Sequence, residues 1–216
     1  MHLKVRFQKQ KRTLRCKIMI IIDKLEKEFI KKGGILKTSE LNELGFSSRE
    51  IKKLMKEGRI SRIKHGFYEL TDYMPKEEVV IARLFPEAVI FLESALFYYE
   101  YTDRIPLAWQ IAVDKNVNKR KYDIDYLIIE PFYLKPEFLD IGIDIVQVDD
   151  VEVRIYDRDR TICDILRYEK KLDKEIFNNA IQRYVKDPRK NIRRLFEYAE
   201  IFNIKNKMQT YIGVWL

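Results

Sequence analysis

The strongest constraint on what this chain can fold into is the order of patterns in residues 35–70. Two short helical patterns, ending at Gly45 and Gly58, are followed by strand-like alternation on either side of a His65-Gly66 turn. A longer helical pattern precedes them and stops at Gly33-Gly34. Three helices followed by a two-stranded hairpin, in that order, predict a winged helix-turn-helix.

Capping residues support both short helices. Thr38 or Ser39 can cap the first, because a hydroxyl accepts from free backbone N–H groups at a helix start. Ser47 or Ser48 can cap the second, where Glu50 is placed to complete a capping box. One side of each helix is apolar, formed by Leu41 and Leu44 in the first and by Ile51, Leu54 and Met55 in the second.

Positive charge is concentrated on the third helix and the hairpin. Residues 46–68 hold seven Lys and Arg residues against Glu50 and Glu57, a surplus of five. A Lys-rich helix can be merely a solvated surface. The concentration of cations favours double-stranded DNA instead, with the helix in the major groove and the hairpin on phosphates. The predicted DNA-binding residues are Ser47, Ser48, Arg49, Lys52, Lys53, Lys56, Arg59, Arg62, Lys64 and His65.

Because so short a helix contacts few base pairs, we expect two copies of the protein to bind DNA together, as a dimer or on adjacent repeats.

The net charge of +8 is unevenly distributed along the chain. Residues 1–18 contribute +7, residues 19–74 contribute +3 and residues 75–216 contribute −2. These ranges are the predicted domains: a basic arm, the winged helix-turn-helix, and a larger C-terminal domain beginning near Pro75. The arm can follow a DNA backbone, rest on an anionic membrane surface, or lie upstream of a true start at Met19. We favour an upstream or disordered arm.

The C-terminal domain is predicted to be α+β, with a small sheet and helices at both ends. Helical patterns cover residues 76–85 and 93–101, the second with Ser94 as a candidate cap. Strand-like runs follow between Trp109 and Tyr156, and aromatic residues nearby fill a core in preference to a partner groove. Later helices are predicted over residues 160–168, over 174–185, from an Asp187 cap with Pro188 at the first helical position, and from about residue 205.

The sequence disfavours a membrane-spanning protein, a disulfide-rich protein and a cysteine-ligated metal site. No apolar run approaches the 20 residues of a transmembrane helix, so a soluble cytoplasmic protein is expected, without a membrane partner. Cys16 and Cys163 have neither a disulfide framework nor metal-ligand spacing, and Cys163 fits a small buried side chain.

An enzymatic reading rests on two acidic pairs. Asp123 and Asp125, and likewise Asp157 and Asp159, have the spacing with which nucleotidyltransferases hold two metal ions. Neither pair follows a Gly-Ser turn, and the chain contains no Gly-rich phosphate loop and no histidine near a nucleophile. The prediction is therefore a protein that is not an enzyme and uses no cofactor or metal.

Four strings in the right order carry a family resemblance: GRISRIKHGFYEL, FLESALFYY, VRIYDRDRTICDILRY, and FNNAIQRYV with RRLFEYAE. Over residues 19–216 the chain resembles the AbiEi antitoxins of bacterial type IV, or abortive-infection, toxin–antitoxin systems. The resemblance implies a winged helix that binds promoter repeats and represses its own operon. It also implies a C-terminal domain that counters a nucleotidyltransferase toxin. An alternative function is a plain winged-helix transcriptional regulator whose C-terminal domain binds a ligand or a protein.

The resemblance also assigns residues. It places the DNA-binding helix at residues 48–57 and the wing at residues 59–68, with His65 where relatives tend to have arginine. The family's Arg-Thr-x-x-Asp string matches Arg160, Thr161 and Asp164. A structural reading of that string is an i, i+4 ion pair with a threonine hydroxyl bonding the backbone. A contact with toxin or nucleic acid is the other reading.

Overall fold

A computed structural model describes residues 20–215 of the 216-residue chain. The basic arm, Cys16 and the alternative start at Met19 lie outside the described residues. The described part divides into two compact units. The N-terminal unit comprises residues 20–84 with Gln147–Val151, and the C-terminal unit comprises Phe85–Val146 with residues 152–215. The domain boundary expected near Pro75 stays a prediction.

The N-terminal unit contains the elements of a winged helix-turn-helix, with one further strand and one further helix. Its three-stranded sheet has the order β1-β3-β2, in which both pairings are antiparallel. The strand that the sequence did not reveal, β1, pairs with the returning strand of the wing. The elements are α1 (residues 20–31), β1 (Ile35–Lys37), α2 (Thr38–Glu43), α3 (Ser48–Lys56), β2 (Ile60–Lys64), β3 (Phe67–Leu70) and α4 (Glu77–Leu84).

One apolar cluster holds the three helices against the wing. Its buried members are Leu25, Phe29, Leu36, Leu41, Ile51, Leu54 and Ile60. Leu44 and Met55 pack against this cluster as the sequence predicts. Burying a side chain of this size stabilises the fold by about 1.5–3 kcal/mol. Three isoleucines of α1, Ile20, Ile21 and Ile30, are exposed.

The helix ends confirm most of the local predictions, with one correction. Ser47 caps α3 with Glu50 in a capping box, and Gly45 and Gly58 follow their helices with φ of +91° and +69°. The predicted cap of α2 at Thr38 or Ser39 is wrong. Thr38 is the first helical residue, and Lys37 occupies the cap position in an extended conformation. The Glu40 carboxylate accepts a hydrogen bond from the Lys37 N–H at 2.7 Å. This is the bond that the acidic residue of a capping box makes, and it takes the place of the predicted hydroxyl cap.

Except for Gln147, Val148 and Val151, a five-stranded mixed sheet with the order β6-β5-β4-β8-β7 belongs to the C-terminal unit. Strand β4 is antiparallel to β5 and parallel to β8, and β5 is parallel to β6. The α+β fold class is thus confirmed. The strands are β4 (Val89–Ile90), β5 (Trp109–Asp114), β6 (Ile129–Leu134), β7 (Ile143–Val148) and β8 (Val151–Tyr156). The helices are α5 (Leu92–Tyr98), α6 (Pro136–Leu139), α7 (Arg158–Arg167), α8 (Lys174–Lys186), α9 (Ile192–Ile201) and α10 (Lys205–Tyr211). Helices at both ends of the unit agree with the prediction.

The predicted cap at Ser94 is wrong. Helix α5 begins at Leu92, and the buried Ser94 hydroxyl accepts from the Gln110 N–H at 2.9 Å. In return, the Gln110 side-chain oxygen accepts from the Glu93 N–H at 2.9 Å. Gln110 of β5 therefore provides the hydrogen-bond acceptor at the start of α5. Because this partner is distant in sequence, a rule based on neighbouring residues does not detect it.

The helix predicted to open at Asp187 and Pro188 is also wrong. Helix α9 starts at Ile192, and the Asn191 side chain is its cap. Asp187 instead accepts from the Arg189 N–H at 2.8 Å and from the buried Tyr101 hydroxyl at 2.8 Å. These bonds fold residues 187–190 into a turn. None of the helices in the described part of the chain has the length and apolarity needed to span a bilayer.

Candidate nucleic-acid interface

Helix α3 separates charge from apolar contact along its whole length. Arg49, Lys52, Lys53 and Lys56 are exposed, at spacings of three and four residues that place them on one side. The opposite side carries the buried Ile51 and Leu54. We call these four cations the α3 stripe. Among the described residues, Lys53 is the only member with an ion pair within 4 Å, to Glu57 at 3.8 Å. The stripe is therefore available to a ligand.

The start of α3 is fixed by a reciprocal cap. The Ser47 hydroxyl and N–H donate to the Glu50 carboxylate at 2.7 and 2.8 Å, and the Glu50 N–H donates to the Ser47 hydroxyl oxygen at 3.4 Å. These bonds from Ser47 lower the pKa of Glu50. Ser48 follows as the exposed first helical residue. Of the two predicted serines, Ser47 therefore holds the helix start, while Ser48 and Arg49 lead the exposed side.

The wing is the hairpin of β2 and β3, with His65-Gly66 at its turn. Arg62 and His65 are exposed, and Lys64 is half-buried. A register shift between Arg62 and Lys64 interrupts the pairing with β3. Bulges of this kind bend a strand and redirect its side chains. The Arg62 Nε donates to the Lys64 carbonyl at 3.4 Å, which keeps its side chain along the wing.

Arg59 differs from the other predicted cations. Its guanidinium lies 3.6 Å from Glu26 of α1 and 3.8 Å from Glu57. All three side chains are about half exposed, so these pairs contribute little to stability. They do offset the positive charge of Arg59 locally. The structure thus brings the stripe together on α3 and Arg62 with His65 on the wing, whereas Arg59 is engaged with acidic residues.

Two contacts that sequence reasoning missed connect these elements. Thr38, the first residue of α2, donates its N–H to the Gly66 carbonyl of the wing turn at 2.9 Å. Arg83 of α4 pairs with Glu40 of α2 and donates to the Ile35 carbonyl at 3.2 Å. Burial would raise the pKa of Glu40, but the hydrogen bonds from Arg83 and Lys37 lower it overall. The sequence separations of 28 and 43 residues leave no local signal for either contact.

Residues 23–71 match the family model described as a transcriptional regulator, AbiEi antitoxin. Residues 23–71 are thus similar to an AbiEi-family regulator domain. The match runs from α1 to the end of the wing and includes all ten predicted DNA-binding residues. The description of this family names a transcriptional regulator and an antitoxin. No curated protein matches the chain.

The Arg-Thr-x-x-Asp string lies outside the matched AbiEi domain, in α7, and is buried. Arg160 Nε donates to Asp164 at 2.7 Å, both side chains being fully buried, so the predicted i, i+4 ion pair is present. The Thr161 hydroxyl donates to the Tyr156 carbonyl at 3.1 Å. Arg167 also pairs with Asp164, at 2.8 Å. These bonds support the structural reading of the string, and contact with another molecule stays a prediction.

Aromatic rings and carbonyls complete the environment of Arg160. Its guanidinium lies 4.3 Å from the Tyr156 ring centre and 4.1 Å from that of Phe202. Its Nη1 donates to the carbonyls of Phe138 and Ile141 at 3.0 and 2.8 Å. The charge of Arg160 is therefore compensated within the C-terminal unit, although its buried Nη2 has no hydrogen-bond partner among the described residues.

The two acidic pairs lie in different settings. Asp157 caps α7 and accepts from the Tyr198 hydroxyl at 2.8 Å. Asp159 accepts from the Tyr184 hydroxyl and the Asn191 N–H, both at 2.8 Å, and burial raises its pKa. Asp123 and Asp125 line an open surface cavity of about 350 Å³. Across residues 20–215, no group of three or more His, Cys, Asp and Glu side chains could hold a metal ion.

Proposed function

We propose that the protein is a DNA-binding transcriptional repressor and antitoxin of a type IV toxin–antitoxin system. The observation that carries the DNA-binding part is the α3 stripe, whose four exposed cations lie opposite the buried Ile51 and Leu54. The apolar side fixes the helix on the domain, so the charged side faces outward as one surface. The family match over residues 23–71 supports a regulator with this surface as its DNA contact.

The dimensions of α3 suit the major groove of a duplex. A helix with its side chains is about 10–12 Å across, which fits the groove width of about 12 Å, and the nine residues of α3 give a length of about 13.5 Å. Ser48 and Arg49 at the helix start are placed to reach base edges. The later cations and the wing residues Arg62 and His65 would contact phosphates on either side. Histidine at position 65 offers fewer hydrogen-bond donors for such a contact than arginine would.

Autoregulation and antitoxin action form the second part of the proposal. The protein would bind repeats in its own promoter as two copies, because one short helix contacts few base pairs. The C-terminal unit would counter a nucleotidyltransferase-type toxin, a role supported by the sequence resemblance of that region to AbiEi antitoxins. Because the proposed repressor must reach its promoter DNA, we expect the protein to act in the cytoplasm. A neighbouring gene for a nucleotidyltransferase-like protein would agree with this assignment.

One observation favours a second candidate function. The family match ends at residue 71, so the C-terminal unit has no family assignment of its own. A plain winged-helix regulator whose C-terminal unit binds a ligand or another protein would give the same match. Expression of the toxin with and without this protein separates the two, since only an antitoxin restores growth.

The experiment that tests DNA binding is an anisotropy titration of the purified protein on its own promoter fragment and on a shuffled fragment. Lys52→Ala/Lys53→Ala/Arg62→Ala should lose affinity for the promoter by tenfold or more. The slope of log affinity against log salt should also become about 2–3 units shallower, since each phosphate contact contributes about 0.9.

A matched control separates local contacts from net charge. Lys115→Ala/Lys170→Ala/Lys174→Ala also removes three positive charges, but from exposed positions of the C-terminal unit. This variant should bind the promoter within about twofold of wild type, which is well below one tenfold step of 1.4 kcal/mol. Equal binding of promoter and shuffled DNA by the wild type would contradict the proposed function.

A further inference from the structure

The tip of the wing is attached to the start of the helix-turn-helix. Two groups of Thr38 donate to the carbonyl oxygen of Gly66: the backbone N–H at 2.9 Å and the side-chain hydroxyl at 3.3 Å. Gly66 belongs to the wing turn and has a φ of +82°. One residue of α2 therefore holds the position where the wing reverses direction.

Thr38 belongs to two elements at the same time. The antiparallel pairing of β1 with β3 ends at Lys37 and Phe67, and the contact from Thr38 to Gly66 continues it by one residue. Thr38 is also the first residue of α2, where a backbone N–H has no partner inside its own helix. The wing carbonyl satisfies this free N–H.

The residues around Thr38 are themselves fixed. Glu40 accepts from the Lys37 N–H and pairs with Arg83, whose Nε donates to the Ile35 carbonyl at 3.2 Å. The Lys37 ammonium also lies 5.7 Å from the ring centre of Phe67, the first residue after the wing turn. The start of α2 is thus held by several contacts besides the one to the wing turn.

We propose that Thr38 is a positioning residue for DNA binding that sets the placement of the wing relative to α3. This inference rests on the proposed function, since it concerns how the wing meets the duplex. Phosphate contacts fix the register of a protein on DNA and require the two contacting elements to keep a constant spacing. The contact from Thr38 to Gly66 maintains that spacing without Thr38 touching DNA.

The sharpest variant is Thr38→Pro. Proline is favoured at the first position of a helix, and Lys37 already has the extended conformation, φ −81° and ψ 157°, that a residue before proline requires. The substitution therefore preserves α2. It removes both donors to Gly66 and places a ring carbon where the N–H was, which pushes the carbonyl away. Thr38→Val is the milder partner, because it removes only the hydroxyl.

Hydrogen exchange of the wing tests the structural half of the inference without DNA. Amides of residues 60–70 should exchange several-fold faster in Thr38→Pro, and less so in Thr38→Val. Exchange at the wild-type rate in Thr38→Pro would overturn the inference. This readout does not depend on the proposed function, which fails separately if the wild type shows no preference for its promoter.

A double-mutant cycle tests the functional half. Thr38→Pro should weaken promoter binding by about tenfold, the loss of one charged contact. In an Arg62→Ala/His65→Ala background it should cause no further loss beyond about twofold, because the wing contacts are already gone. In a Lys52→Ala/Lys53→Ala background the full tenfold loss should remain.

A purely structural role for Thr38 would give the same loss in both backgrounds, and that outcome overturns the positioning role. Thermal unfolding of each variant accompanies the cycle. If Thr38→Pro does not fold, the same cycle is run with Thr38→Val. There a loss of about threefold should vanish in the background that lacks Arg62 and His65, and persistence of the loss would overturn the inference.

Discussion

Helices α3 and α7 have similar lengths and capped starts, yet they use their charged residues in opposite ways. In α3 the cations are exposed, and within the described residues only Lys53 has an ion pair. In α7 Asp159, Arg160 and Asp164 are buried among partners. A run of charges thus acquires its role from the surface against which the helix packs. In α3 only the apolar side is covered, whereas α7 is covered around most of its circumference.

The difference has an energetic consequence. Charges left in water cost the fold little, and they remain free to bind phosphates. Charges taken out of water must be paired, and removing one partner leaves the other uncompensated. Substitutions in α7 should therefore change stability, while substitutions in the α3 stripe should change binding.

The largest expected effect is on the buried pair. Asp164→Asn keeps the side-chain volume but leaves Arg160, which is fully buried, without its counter-charge. The free energy of unfolding of the C-terminal unit should fall by about 3–5 kcal/mol. Denaturant unfolding followed by tryptophan fluorescence measures this, because both tryptophans, Trp109 and Trp215, lie in that unit.

The chain offers a matched control at the same helical spacing. Arg193 and Glu197 form an i, i+4 pair at 3.0 Å in α9, with 89% and 57% of their side chains exposed. Glu197→Gln should therefore change the free energy of unfolding by less than about 0.5 kcal/mol. Equal losses in Asp164→Asn and Glu197→Gln would show that burial does not decide the role of the charges.

A smaller effect is expected from the acid titration of Asp187. Burial would raise its pKa, but the Arg189 N–H, the Tyr101 hydroxyl and the Arg189 guanidinium together lower it to about 2. A lowered pKa in the folded state adds stability above the ordinary value of 3.8, and this stability is lost as the pH falls through about 2. The contribution amounts to about 2 kcal/mol.

Comparison with Asp187→Asn isolates this group from others that titrate nearby. Asp159 has a raised pKa because it is buried, so its contribution has the opposite sign, being present at low pH and lost as the pH rises. The difference in unfolding free energy between wild type and Asp187→Asn should be largest above pH 4 and should shrink toward pH 2. A difference that is constant over this range would refute the assignment.

Local signals in the sequence were sufficient for much of α3. Ser47, Glu50 and Gly58 act through bonds within a few residues, so spacing alone predicts their roles. Helix α3, the wing turn and the pair between Arg160 and Asp164 followed from such signals. The exposed stripe followed as well, because its spacing opposes Ile51 and Leu54 on a helix.

Hydrogen-bond partners that are distant in sequence explain the wrong predictions of helix caps. Asp187 resembles a helix cap in sequence, but a hydroxyl from Tyr101, 86 residues away, competes for its carboxylate. Ser94 accepts from Gln110 of another strand, and Thr38 donates to the wing. In each case a polar side chain with a plausible local role bonds an element that is distant in sequence. The fold class was therefore predictable, whereas the contact that holds the wing was not.

The smallest expected change in stability, and the sharpest contrast with α7, concerns Lys52 and Lys53. Like charges at spacings of three and four residues repel by about 0.2–0.5 kcal/mol per pair, and alanine is the better helix former. Because loss of the exposed Lys53–Glu57 pair offsets part of this gain, Lys52→Ala/Lys53→Ala should change the unfolding free energy of the N-terminal unit by less than about 0.5 kcal/mol. Helical circular dichroism during thermal unfolding measures this, and the same preparation should bind its promoter at least tenfold more weakly.

Lys52→Arg/Lys53→Arg keeps both charges and should retain both stability and promoter binding to within a few fold, since phosphate contacts depend chiefly on charge. If the alanine variant loses stability in proportion to binding, the cations serve the fold, and the contrast with α7 disappears. If it binds weakly while it unfolds as the wild type does, the two lysines stabilise only the complex. Repulsion among the cations of the stripe then destabilises the free protein slightly, and bound phosphates would relieve it. A surface of this kind is expected to bind a polyanion such as DNA.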